Sequence, residues 1–186
     1  MENNQPRFNS GTERMEHFIQ MCKRFGIQVD IKRLDEMGFF DAPSSINHHG
    51  NYAGGNYDHS AEVADFLISM TEKGIITWQN PRSPWVVGIF HDLCKTDYYK
   101  ELPMEEGQPK RWEYNEQQVL SGHGEKSIML LSQFLQLTEE EVLCIRYHMG
   151  AYNKNDWDAY DMAIRKYETV LWTHTADMYA AKVKNI

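Results

Sequence analysis

The chain is short of cysteine, of long apolar runs and of positive charge, and each shortage excludes something. Its three cysteines, Cys22, Cys94 and Cys144, are odd in number and form no CxxC pair. That pattern disfavours a disulfide framework and makes a reducing, cytoplasmic compartment the expectation. Cys94 and Cys144 lie in apolar contexts and read as small core residues. No apolar stretch approaches the ~20 residues that span a bilayer, and residues 1–12 are too polar for a signal peptide. Lys and Arg number 19 against 27 Asp and Glu, a net charge of −8. A general binder of nucleic-acid backbone needs a basic surface, so long nucleic acid is excluded as a partner, while a local basic pocket for a small anion stays allowed. There is no internal repeat and no linker long enough to separate domains. The 186 residues suffice for one domain around one core.

What is present is helical periodicity. Residues 1–11 are polar and expected to be mobile. Met15, Phe18, Ile19 and Cys22 recur at helical spacing over 13–25, before Gly26. Residues 29–37 form a second short helix with Ile31 and Leu34, and 42–56 read as a loop containing His48 and His49. Over 57–73 the stripe Val63, Phe66, Leu67, Met70 predicts an amphipathic helix. Ser83-Pro84 starts the next, with Ser83 as cap and Pro84 at its first position. That helix is almost wholly apolar from Trp85 to Phe90, hence central. In 97–118, Tyr98, Tyr99, Trp112 and Tyr114 flank Pro103, Gly107 and Pro109, as in a hairpin or an ordered flap. A helix opens at Gly122-His123-Gly124 and runs to about Leu137. Thr138-Glu139-Glu140-Glu141 is a capping box, and residues 158–183 are helical, in one piece or two. The expectation is an all-α, single-domain helical bundle with a small β-hairpin insertion. Residues 1–56 are its N-terminal helices and loop, packed on a core of 57–186.

Within that frame the candidates for chemistry are His59, the doublet His91-Asp92, His123, His148 and Asp177. Imidazole and carboxylate from distant segments together bind divalent metals. A lone histidine on an apolar helix face is more often a hydrogen-bonded core residue, and His-Asp can be an ordinary helix end. The ordered set is what changes the reading. His174 lies three residues before Asp177, on nearly the same face, as a supporting partner or a substrate contact. His17, His48 and His49 read as surface residues.

The strings Tyr57-Asp58-His59-Ser60, Phe90-His91-Asp92-Leu93-Cys94-Lys95 and Trp172-Thr173-His174-Thr175-Ala176-Asp177 resemble, in order, motifs of the HD-domain superfamily of metal-dependent phosphohydrolases. The resemblance spans most of the chain, from Tyr57 to Val183. It implies a bundle of the HD-domain type in which His59, His91, Asp92 and Asp177 hold one metal. His123 and His148 match the two further histidines of binuclear members, with Asp92 then bridging two divalent ions. The ions could be Mn, Mg, Fe, Zn, Ni or Co, since mixed His and carboxylate ligands accept several. The implied activity is hydrolysis of a small phosphate ester, a nucleotide or phosphodiester, by attack of a metal-bound hydroxide.

Asp92 and Lys95 are the expected catalytic residues. Lys95 lies one helical turn beyond His91, where its charge can hold a phosphate oxygen. Lys126 and Arg146 are further candidates for substrate contact, as are Lys110 and Arg111 in the aromatic segment. After His148 the chain reads Met149-Gly150-Ala151-Tyr152-Asn153, without the Gly-Tyr-Pro signature of cyclic-dinucleotide phosphodiesterases. Two alternatives stay open. One is an HD-type diiron oxygenase that cleaves a carbon bond with O2; the other is a degenerate domain kept as a binding module, disfavoured because every expected ligand is present. Scattered aromatics leave a homodimer open as well.

Overall fold

Eight consecutive residues, Ser83–Phe90, are all buried, and they form the central helix of the fold. The computed structural model describes residues 6–48, 50–103, 107, 110–151 and 156–186. His49, Pro109 and the pair Tyr152-Asn153 lie outside the described residues, as do residues 1–5. In chain order the elements are α1 (Gly11–Phe25), α2 (Ile31–Glu36), α3 (Gly55–Glu72), α4 (Ser83–Phe90), α5 (Lys95–Tyr98), β1 (Tyr99–Glu101), β2 (Trp112–Tyr114), α6 (His123–Leu131), α7 (Glu139–Arg146), α8 (Trp157–Lys166) and α9 (Thr169–Tyr179), the last running into a π-helical turn, Ala180–Lys184. The two strands pair antiparallel, Tyr99 opposite Tyr114. The protein is thus mostly helical with one small sheet. No helix among the described residues is long and apolar enough to cross a membrane.

Caps set the helix ends. Ser10 accepts the Glu13 N–H at the start of α1, and Gly26 closes it at φ 65°, a left-handed conformation that glycine adopts without steric cost. The Thr138–Glu141 capping box is formed in both directions, at 3.2 and 2.8 Å. Ser83 is not a cap. Arg82 occupies that position, and Ser83 Oγ donates instead to Glu141 Oε1 at 3.0 Å, a charge-assisted bond stronger than one to a backbone amide. Arg82 Nε donates to the same carboxylate oxygen at 3.2 Å. The helix of α3 begins two residues earlier than periodicity indicates, because Gly54 at φ 82° turns the chain directly into it; His59 is its fifth residue. The helix of α6 stops at Leu131, where Ser132 Oγ folds back onto the Met129 carbonyl and a turn follows.

Aromatic packing joins the N-terminal helices to the core. Phe18 of α1 contacts Phe39, Phe40, Tyr57, Trp85 and Phe90, with ring centroids 5.6–6.5 Å apart. Each such ring, fully buried, contributes roughly 1.5–3 kcal/mol. His17, read as a surface residue, belongs to this cluster: its Nδ1 lies 2.9 Å from Tyr57 Oη and its ring meets Trp85 edge-on. The N-terminal segment is tied down from Arg7 onward. The Arg7 backbone N–H donates to buried Asp58 Oδ2 at 2.8 Å, and Asp58 also takes Arg14 Nε at 2.6 Å and Tyr52 Oη at 3.1 Å.

Helix α3 packs closely on α4. A Cβ at Gly88 would lie 2.3 Å from Ala64 Cα and 2.6 Å from Ala64 N, so any side chain there forces the helices apart. Gly88→Ala is expected to cost about 1–3 kcal/mol, read as a lower denaturation midpoint at unchanged m-value in urea.

Candidate metal centre

The six residues singled out on sequence converge. The close α3–α4 packing sets His59 beside His91, with ring centroids 5.3 Å apart. The end of α4 meets the turn after α7, placing the His91 and His148 rings 4.9 Å apart. Asp177, on α9, reaches both His59 Nε2 at 3.0 Å and His91 Nε2 at 3.7 Å. Asp92 lies between two sets of nitrogens. Its Oδ2 is 3.8 Å from His91 Nε2, while its Oδ1 is 3.5 Å from both His123 Nδ1 and His148 Nε2. Asn56 Nδ2 donates to the Asp92 backbone oxygen at 3.2 Å and steadies that turn.

The donor set fits divalent cations. His91 Nδ1 donates to the Gly88 carbonyl, and His148 Nδ1 to the Ile145 carbonyl, each at 2.8 Å and three residues back. A carbonyl only accepts, so each Nδ1 carries the proton and each Nε2 presents a lone pair to the centre. Both Nε2 atoms are fully buried without a hydrogen-bond partner. Orphaned buried polar atoms are costly, and this tautomer, locked by a backbone carbonyl, is how metal-ligating histidines are held. Among the described residues, two groups have ligand atoms close enough to hold an ion: His59, His91 and Asp92, and Asp92, Cys94 and His123. Cys94 is the member that sequence reasoning missed. It is a buried residue as expected, but its Sγ lies 3.9 Å from Asp92 Oδ1 and 3.7 Å from His123 Nδ1.

The electrostatics describe a cluster of partly protonated histidines around two carboxylates. Burial pushes His91 down to about 4, with His148 and His59 adding to the effect, so it is neutral. Burial opposes the charge of His59 too, but the hydrogen bond and charge of Asp177 outweigh it and raise its pKa. Burial opposes the charge of His148 as well, and the nearby Asp92 carboxylate, 3.5 Å from its Nε2, outweighs it and raises its pKa. Burial works to raise Asp177, yet His59 and the histidines behind it carry it down to about 2. Asp92 is also held well below the usual carboxylate range; burial is overcome by Lys95, His123, His148 and His91. Without metal, the His59–Asp177 pair contributes most between about pH 4 and 6.5, the ordinary values of the two side chains. Its contribution falls as pH drops through the lowered carboxylate value or rises through the raised imidazole value. A cation must displace the His59 proton that faces Asp177, since both ring nitrogens of His59 meet oxygen acceptors. Metal binding at about pH 6.5 is therefore expected to release protons and to strengthen as pH rises. Calorimetry in buffers of different ionisation enthalpy checks it; a heat independent of the buffer is the contrary result.

The surrounding candidates divide. Lys95 is partly buried, and the charge of Asp92 overcomes the effect of burial to keep its ammonium charged. Tyr98 stacks on the His123 ring at 4.8 Å, so the aromatic segment walls the second group. Lys126 is fully buried, paired with Asp97 at 2.6 Å and with its ammonium 4.6 Å from the Tyr98 ring, so it supports that wall. Lys110 is likewise engaged, with Asp41 and Glu101. Arg146 lies beside Glu125, half exposed. It lines an open cavity of about 290 Å³ together with Tyr98, His123 and Tyr147. His174 Nδ1 donates to the His148 backbone oxygen at 2.7 Å and braces the turn that carries this histidine. His48 is exposed.

No family model matches this chain, and no curated protein or solved structure matches it either.

Proposed function

We propose that the protein is a metal-dependent phosphohydrolase of the HD-domain type, acting on a small phosphate ester such as a nucleotide or phosphodiester. The observation that carries the reading is the pair of buried, unpartnered Nε2 atoms of His91 and His148 set around the two oxygens of Asp92. His59, His91, Asp92 and Asp177 would hold one divalent ion, and Asp92, His123 and His148 a second. Two cations so placed supply charge neutralisation for phosphate and activation of water near neutral pH. The protein's own share is positioning. Asp92 faces both nitrogen sets with separate oxygens. Lys95 brings a fixed positive charge to the same centre, suited to a phosphate oxygen. The cavity between Tyr98, His123 and Arg146 has room for the organic part of a small ester, with aromatic faces for a base and a guanidinium at its rim.

The test is a screen of nucleotides and phosphodiesters on protein loaded with manganese, zinc, cobalt or iron, followed by Lys95→Ala. Metal-dependent hydrolysis, read by chromatography of the products, supports the reading, and the variant is expected to lose about 10²-fold or more in kcat/KM, with metal content unchanged. Two irons per chain with oxygen consumption and no ester hydrolysis would transfer the site to oxidative cleavage. Hydrolysis independent of added metal and insensitive to Lys95→Ala would end the proposal.

A further inference from the structure

The second cluster contains a sulfur. Cys94 Sγ, Asp92 Oδ1 and His123 Nδ1 form a triangle with edges of 3.9, 3.7 and 3.5 Å. A tetrahedral ion with bonds of about 2.3 Å to sulfur and about 2.0–2.1 Å to nitrogen and oxygen sets its ligands apart by about 3.6 Å for sulfur edges and about 3.4 Å for the nitrogen–oxygen edge. The triangle is therefore already close to the face of such a polyhedron. His148 supplies an independent pointer to a ligand: its fully buried, unpartnered Nε2 lies 3.5 Å from the same Asp92 oxygen. The turn holding the sulfur is fixed, because the Cys94 N–H donates to Ser127 Oγ on α6 at 3.1 Å, and Ser127 lies one turn beyond His123.

We propose that Cys94 is a thiolate ligand of the second metal ion, so that this position is a Cys–His–Asp site selective for zinc, cobalt(II) or iron(II) over magnesium and manganese. The inference rests on the metal-centre reading above and adds an identity to one of its positions. On binding, the S–H bond breaks, its proton passes to solvent, and the sulfur lone pair forms the bond to the cation, with no change of oxidation state. Soft sulfur donors favour these ions, whereas carboxylate and water suit magnesium and manganese.

Cobalt(II) alone, titrated anaerobically into the metal-free full chain with a thiol-free reductant, tests the assignment. The expected result is a near-ultraviolet thiolate-to-cobalt charge-transfer band that saturates with one of the bound ions. In Cys94→Ser the band should vanish, and the preference for zinc over manganese should fall by about tenfold or more. The chain has only two other cysteines, so the Cys22→Ser/Cys144→Ser variant should keep the band; this still assigns it if Cys94→Ser does not fold. Cobalt bound without the band overturns the thiolate ligand and leaves the metal centre standing. A band that survives Cys94→Ser, or is lost in the double variant, also overturns it. Absence of any bound cobalt removes both readings together.

Discussion

Asp92→Ala is expected to yield a helical protein that binds neither metal. The Asp92 carboxylate has two oxygens that face different histidines, Oδ2 towards His91 and Oδ1 towards His123 and His148. Its loss takes a ligand from both positions at once. Changes to groups that merely orient ligands already weaken metal binding 10–100-fold, so a loss above about 100-fold is expected at each position, and with it measurable turnover. His148→Ala should behave differently, removing one ion and leaving the other. Elemental mass spectrometry gives the stoichiometry and circular dichroism the helix content. An Asp92→Ala protein that kept one tightly held ion would show that the two clusters do not share this carboxylate.

The largest effect on stability is expected from Arg14→Met. Arg14 is 3% exposed and Asp58 fully buried, and they are joined by two bonds, Nε to Oδ1 at 2.6 Å and Nη2 to Oδ2 at 3.2 Å. The guanidinium lies on Gly54, where a Cβ would come within 2.1 Å of Cζ. Removing it leaves a buried carboxylate with hydrogen-bond donors but no countercharge, which costs roughly 3–5 kcal/mol. In a chain of this length that lowers the melting temperature by about 10 °C. Removing the negative charge as well, in Arg14→Met/Asp58→Asn, should recover part of the loss. A single variant that melts within about 2 °C of the parent would mean that Asp58 is satisfied without Arg14.

This ion pair shows where sequence reading stops. Arg14 and Asp58 are 44 residues apart, and nothing local marks either; each sits in an amphipathic pattern where a charge normally faces water. Local signals fared better where the physics is local. Thr138 and Glu141 announce their helix because the bonds of a capping box span three residues. The apolar run from Trp85 to Phe90 could only be a buried helix or strand, and Pro84 at its start favoured the helix. Ser83 shows the limit of the same logic, since a buried carboxylate from another helix outcompeted its own backbone. The ordered histidines marked the buried cluster because a group that could hold a metal ion calls for particular residue types. Cys94 escaped notice because sulfur in apolar surroundings is also what an ordinary core contains, and only its separation from His123 distinguishes the two. Lys126 stood out by its spacing from His123, but its contacts with Asp97 and the Tyr98 ring were not legible, since each comes from a distant segment.

The shared carboxylate of Glu141 has a geometric consequence for ligand spacing. It accepts from Ser83 and Arg82 at the start of α4 while capping α7 at its own start, so the two helices leave from one anchored point. Each is eight residues long, about 12 Å of rise. The first delivers His91 one residue past its end and the second His148 two residues past, each bonded to the carbonyl three positions back. Two rods of equal length, pinned together at one end, bring their far ends together, where the two rings meet edge-on at 4.9 Å. The distance between the His91 and His148 rings is thereby gauged from the far side of the bundle. One residue added to either helix would advance its ring by about 1.5 Å and swing it by about 100°, even with every ligand still present in the chain.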